Sequence, residues 1–103
     1  MRFLLKVNIP VETGNALAKA GKLGSTIKAI LADLKPEAAY FTDDNGQRSG
    51  IIIMNMDDAS QIPAIAEPWF LAFNASIACH PVMTPDDLAK ASGAIEKAVK
   101  KYG

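Results

Sequence analysis

Apolar and polar side chains alternate from the first residues of the chain. Phe3, Leu5, Val7 and Ile9 alternate with Arg2, Leu4, Lys6 and Asn8, the period-two pattern of a strand with one strongly apolar face. Pro10 cannot donate to a ladder and ends it. Leu17, Ala20, Leu23, Ile27, Ile30, Leu31 and Leu34 then recur every three or four residues, which predicts a long helix with one apolar face. Thr13 is its candidate cap. Gly21 and Gly24 weaken the middle, so a bend or two helical pieces is expected. Lys35-Pro36 stops the pattern, because the residue before proline is pushed out of the helical region.

Two strand-like runs follow, residues 37–42 and 48–56, with Asn45-Gly46 between them. Asn-Gly accepts the positive φ that a type I′ turn requires at both central positions, so the runs are expected to form a hairpin. Asp43 and Asp44 suit the turn; the ligand spacing and closing Glu of a calcium loop are absent. A second helix is expected after Asp57-Asp58, with Ser60 as cap and Pro63 in the first turn. Ile62, Ile65, Ala66, Trp69, Phe70 and Phe73 form its apolar stripe, and Pro68 predicts a kink or a restart at Glu67-Pro68. A fourth strand is expected over residues 74–82. Thr84-Pro85-Asp86-Asp87 reads as a strong helix start: a cap, a proline at the first position, then acids at the positive end. Leu88, Ala91, Ile95 and Val99 give that last helix one apolar face.

The order βαββαβα predicts an α+β fold of the ferredoxin-like kind, an antiparallel sheet with both main helices on one face and an extra C-terminal helix, as one domain over residues 1–103. The second face of that sheet does not read as a solvent face. Ile51, Ile52 and Ile53 are consecutive, so both faces carry isoleucine, and such a run implies burial on both sides. A homodimer, pairing sheet to sheet about a two-fold axis, is the simplest way to cover it, with higher assembly left open.

Composition narrows the function classes. Half of the 103 residues are hydrophobic, enough for a core. Eleven basic residues balance eleven acidic ones, which gives no electrostatic reason to expect nucleic acid or an anionic membrane as partner. Lys97, Lys100 and Lys101 suit the last turn of a helix, where cations complement the macrodipole. The single cysteine, Cys79, excludes an internal disulfide and a cysteine-based zinc site. The opening apolar run is too short for a signal peptide and no segment is long enough to span a bilayer, so a soluble, cytoplasmic protein is expected.

The opening MRFLLKVNIP and the segment EPWFLAFNASIACHPV, together with the element order, resemble the dimeric α+β barrel superfamily. The latter segment, residues 67–82, is similar to the C-terminal part of muconolactone isomerases, where an aromatic-rich helix end runs into a strand that closes near a His-Pro. At the level of element order the resemblance covers residues 1–83. The chain as a whole is also similar to small uncharacterised proteins of that superfamily, and the helix over residues 85–102 departs from the short-tailed isomerases. The resemblance implies a ferredoxin-like dimer and, for function, a small cofactor-free enzyme, isomerase- or monooxygenase-like.

Candidate chemistry is sparse. His80 is the only histidine, and histidine titrates near neutrality, which makes it the natural general acid or base. Strand parity places it with Ser76 and Ala78, opposite Ile77 and Cys79; a structural histidine at a strand end is the plainer alternative. Glu67, at the expected helix break, is the second candidate for catalysis, against a solvated acid. Tyr40, Lys6, Asn8 and Asn55 are polar positions on otherwise apolar strands. They would either orient a small organic ligand or lie along the dimer seam. Trp69 is a candidate ligand contact, though helical spacing alone explains it, with Phe70 and Phe73, as core. Cys79 reads as a buried hydrophobe and not a nucleophile. No metal site or cofactor motif is legible. Two functions remain: an enzyme acting on a small apolar molecule between sheet and helices, or a non-catalytic ligand-binding or interaction module.

Overall fold

The alternation at the start of the chain becomes β1 (Arg2–Ile9), and the computed structural model follows the chain through residues 1–103. After β1 come α1 (Val11–Lys19), α2 (Leu23–Leu34), β2 (Ala38–Asp44), β3 (Gln47–Asn55), a 3-10 turn (Ala59–Gln61), α3 (Ile62–Phe73), β4 (Ser76–Pro81), α4 (Pro85–Lys90) and α5 (Ser92–Tyr102). The strands form one antiparallel sheet in the order β2-β3-β1-β4. With its two crossovers through helices this is the ferredoxin-like α+β arrangement.

The register fixes both faces of the sheet. Leu5 lies between Ile52 and Cys79, and Val7 between Gly50 and Ile77. One residue away, Leu4 lies between Ile53 and His80, and Lys6 between Ile51 and Ala78. Because side chains alternate, the first set faces the helices and the second faces away. Leu5, Val7, Ile52, Trp69 and Phe73 are all but completely buried, and each such side chain contributes about 1.5–3 kcal/mol of transfer free energy. Asn45 and Gly46 both have positive φ (51° and 78°), so the hairpin closes on the two-residue turn that its sequence demands.

Several helix ends differ from expectation, each for a local reason. The first helix is two pieces, parted at Gly21 with φ 70°. Pro10, not Thr13, is its N-cap: extended backbone at Pro10 passes straight into the helix, leaving Thr13 within the first turn. Asp58, not Ser60, caps the next segment, accepting from the Ser60 N–H at 3.1 Å while the Gln61 side chain accepts from the Asp57 and Asp58 N–H groups. Helix α3 runs through Pro68 without a restart. A helical proline costs about 3 kcal/mol, and burial of Ile65, Ala66, Trp69 and Phe73 on either side of it offsets that cost. Asn74 takes the left-handed conformation that ends α3, so β4 begins only at Ser76.

The C-terminal start is as expected: Thr84 and Asp87 form a reciprocal capping box. The helix itself is broken at Ala91, and its apolar residues Leu88, Ile95, Val99 and Tyr102 are exposed. The chain measures 58 × 28 × 21 Å with a radius of gyration of 17.2 Å, where about 13 Å is usual for its length. The excess comes from α4 and α5 projecting as an arm. No helix is long and apolar enough to cross a membrane.

Candidate functional site

The helix-facing side of the sheet is not filled everywhere. A cavity of about 180 Å³ lies between sheet and helices, walled by Val7, Ile9, Gly50 and Phe41 from the strands, Ile27 from α2 and Trp69 from α3. Gly50 sits inside a strand, where glycine marks close approach of another group. That group is Phe41, whose ring would lie 3.1 Å from a Cβ at position 50. Phe41 is half-exposed and with Thr42 and Arg48 forms the less buried part of the wall.

Trp69 walls the cavity from α3. Its side chain is 1% exposed and its ring stacks on Phe73 at 5.9 Å, so the helical spacing did read it correctly as core. Its Nε1 is also the one buried side-chain polar atom without a hydrogen-bond partner. A buried donor left unpaired costs about 1–3 kcal/mol, and native proteins keep such groups rarely.

Arg48 stands at the same cavity. It lies on the helix-facing side of β3, in register with Ile9 and Asp43. Its Nη1 donates to Asn15 Oδ1 at 3.0 Å, and its guanidinium crosses α1 at Gly14, where an added Cβ would lie 2.6 Å from Nη1. Arg48 belongs to neither of the chain's two side-chain ion pairs, Arg2 with Glu37 and Lys6 with Asp44.

The other face of the sheet gathers most of the polar candidates read from the sequence. His80, Tyr40, Lys6, Asn8 and Asn55 all lie there, away from the cavity. The expectation that His80, Tyr40 or Asn55 shares a sheet–helix pocket therefore fails on strand parity. Lys6 Nζ pairs with Asp44 Oδ2 at 2.8 Å, Asn8 Nδ2 donates to the same oxygen at 2.8 Å, and Ser49 Oγ donates to Asn8 Oδ1 at 2.8 Å. The hydrogen bond from Lys6, then that from Asn8, holds the Asp44 carboxyl below its ordinary value. Asn55 Oδ1 accepts from the N-terminal ammonium at 2.8 Å. Tyr40 and His80 are exposed on this face without a side-chain partner, beside the half-buried Leu4, Ile51 and Ile53. Glu67 is exposed on α3 and meets none of these residues. Cys79 faces the helices, and burial raises its thiol pKa, which suits a packing role. No three His, Cys, Asp or Glu side chains converge as metal ligands.

Arg48, Phe41, Gly50 and Gly14 were not singled out by sequence. Two signals were available: a glycine inside a strand, and an arginine with the parity of Gly50, Ile52 and Met54, on a face otherwise apolar.

Comparison with solved structures supports the fold. A 5-chloro-2-hydroxyhydroquinone dehydrochlorinase (TftG) from Burkholderia phenoliruptrix AC1100, in complex with 2,5-dihydroxybenzoquinone, superposes with a TM-score of 0.61 at 16% identity, covering 84% of this chain and 97% of that one. A formyltetrahydrofolate deformylase from Pseudomonas putida KT2440 gives 0.49 at 14% identity over 80% of this chain and 29% of that one, a partial match too low to bear on fold. No curated protein sequence matches the chain. The family model described as domain of unknown function DUF3303 matches residues 1–96, and the chain belongs to that family.

Proposed function

We propose that the chain is a small cofactor-free enzyme of the isomerase or monooxygenase type, whose substrate is a small, largely apolar organic molecule held in the cavity between sheet and helices. The observation that carries this is the apolar cavity itself, of about 180 Å³, walled by Val7, Ile9, Ile27, Phe41 and Trp69 and large enough for a single ring. Apolar walls with a few placed polar groups are the usual make-up of a small-molecule site. The fold shared with a dehydrochlorinase is compatible with this, but a fold hosts many functions and does not choose among them. Trp69 is the chain's sole tryptophan, so selectively excited tryptophan fluorescence reports on this cavity alone. Titration with single-ring organic compounds should give a saturable change in emission that Ile27→Phe, which fills the cavity, abolishes. Compounds that bind without perturbing the fluorescence would remove the cavity from the account. Binding without turnover of any ligand would favour the non-catalytic ligand-binding module.

The open sheet face and the projecting arm belong, on this account, to a homodimer. Leu4, Ile51, Ile53 and Tyr40 on the sheet, and Leu88, Ile95, Val99 and Tyr102 on α4 and α5, are two apolar surfaces that one chain leaves uncovered. A two-fold pairing of sheets, with each arm reaching its partner, covers both at once. His80, Tyr40, Lys6, Asn8 and Asn55 then lie in the seam, where His80 is a positioning or structural group. Retention of full turnover by His80→Ala supports that placement; its loss, with the dimer intact, would return His80 to catalysis.

A further inference from the structure

We propose that Phe41 sets the size limit of the cavity: its ring, seated on Gly50, closes the outer side of the site, which therefore admits one uncharged ring and rejects two. This rests on the cavity being a ligand site, as proposed above, and names the residue that selects the ligand.

The seat is built into the hairpin. Phe41 on β2 and Gly50 on β3 are direct cross-strand partners, and Gly50 in turn lies opposite Val7 on β1. All three positions share the helix-facing parity of Leu5 and Ile52. A glycine within a strand gives up the side chain that would pack there. Here the bare Cα lets the Phe41 ring come down over β3: a Cβ on Gly50 would stand 3.1 Å from one ring carbon and 3.3 Å from another. The ring is thereby directed inward from an edge strand and against the cavity.

Phe41 is also the apolar boundary between the cavity and water. Val7, Ile9, Gly50 and Trp69 are buried and Ile27 is half-buried, whereas Phe41 is 51% exposed. No strand lies beyond β2 to support the ring from outside.

Volume and polarity define what the ring admits. The cavity volume of about 180 Å³ exceeds the roughly 150 Å³ of an apolar protein cavity known to hold benzene by about the share of one water molecule in the liquid. That margin takes a methyl substituent and not a second ring. The polar side chains around the cavity are engaged elsewhere. Ser49 Oγ bonds Asn8 on the open face of the sheet, Thr42 shares the parity of Ser49, and Arg48 Nη1 bonds Asn15 on α1. A polar group on the inner part of a ligand would lose its hydrogen bonds to water without replacement. Hydrocarbons are the matching probes.

The test is titration of the full chain with toluene and naphthalene, followed by the Trp69 indole resonance, in wild type, Phe41→Ala and Phe41→Leu, each checked for folding by thermal unfolding. Wild type should bind toluene about tenfold or more tightly than naphthalene, the penalty of overfilling a packed site. Phe41→Ala should remove that preference, and Phe41→Leu, which keeps a smaller apolar side chain on the sheet, should reduce it. The leucine variant decides the matter where alanine costs the fold. A Phe41 that serves packing alone would lower the unfolding temperature when replaced and leave the ratio of the two affinities unchanged. That result would overturn the assignment while leaving the cavity as a ligand site, as would wild type that binds both probes equally. Failure of toluene to bind wild type would overturn the assignment together with the cavity site on which it rests.

Discussion

The guanidinium of Arg48 occupies the space where a side chain on Gly14 would begin: a Cβ there would lie 2.6 Å from Nη1. Gly14 is buried within α1, a position where alanine is the better helix former by about 0.8–1 kcal/mol. Gly14→Ala should therefore fold at least as stably as wild type, because the colliding atoms are the far end of a flexible side chain. It should also break the hydrogen bond from Arg48 to Asn15. Thermal unfolding of Gly14→Ala beside Arg48→Gln checks both. A variant destabilised by more than about 1 kcal/mol relative to wild type would mean that the Arg48 side chain cannot give way.

Trp69→Phe has an unusual expected stability. Truncating a buried aromatic side chain normally costs a few kcal/mol through the space it leaves. Here the substitution also removes an unpaired buried donor, whose penalty is about 1–3 kcal/mol. The two oppose each other, so the unliganded protein should change by no more than about 1 kcal/mol in chemical denaturation. A large destabilisation would show that Nε1 is hydrogen-bonded in solution.

Sheet-to-sheet pairing makes Ile53 a sensitive probe. It is half-buried on the open face, between Leu4 and Ala38. Ile53→Lys introduces like charges across a two-fold seam and should convert a dimer to a monomer by light scattering, with the secondary structure unchanged by circular dichroism. A wild-type protein that is already monomeric would remove the dimer.

The Lys6–Asp44–Asn8 cluster sets an acid response. Hydrogen bonds from Lys6 and then Asn8 lower the folded pKa of Asp44 from its ordinary 3.8. The unfolded chain therefore binds the proton more tightly. The stabilisation is complete above the unfolded value and is lost as the pH falls through the folded one. Wild type should lose stability relative to Asp44→Asn below about pH 4, the carboxylate range, and the two profiles should run parallel at neutral pH. A difference that grows toward high pH would contradict the sign.

The fold was legible because its signals are local and mutually consistent. The alternation of residues 2–9, the Asn45-Gly46 turn and the Thr84–Asp87 capping box each dictate a backbone conformation, and each is present as expected. Pro68 does not restart the helix, because its cost is local whereas the packing of Trp69 and Phe73 that overrides it is not. The site was less legible for a related reason. Parity assigned His80 to the correct face, but only the three-dimensional packing shows that the gap lies on the other one. Trp69 reads as core because it is core. Its unpaired nitrogen is a property of its neighbours, none of which offers an acceptor, and no spacing along the chain encodes that. Arg48 acquires meaning only beside Gly14, thirty-four positions earlier in the chain.

The most direct test follows the indole proton itself. With a single tryptophan, a proton–nitrogen correlation spectrum of the labelled protein holds one indole Nε1–H resonance. Titration with toluene should shift that resonance saturably, because the ring current of a ligand in the cavity reaches Trp69, and Ile27→Phe should abolish the shift. Toluene that binds while the indole resonance keeps its position would contradict the account at its centre.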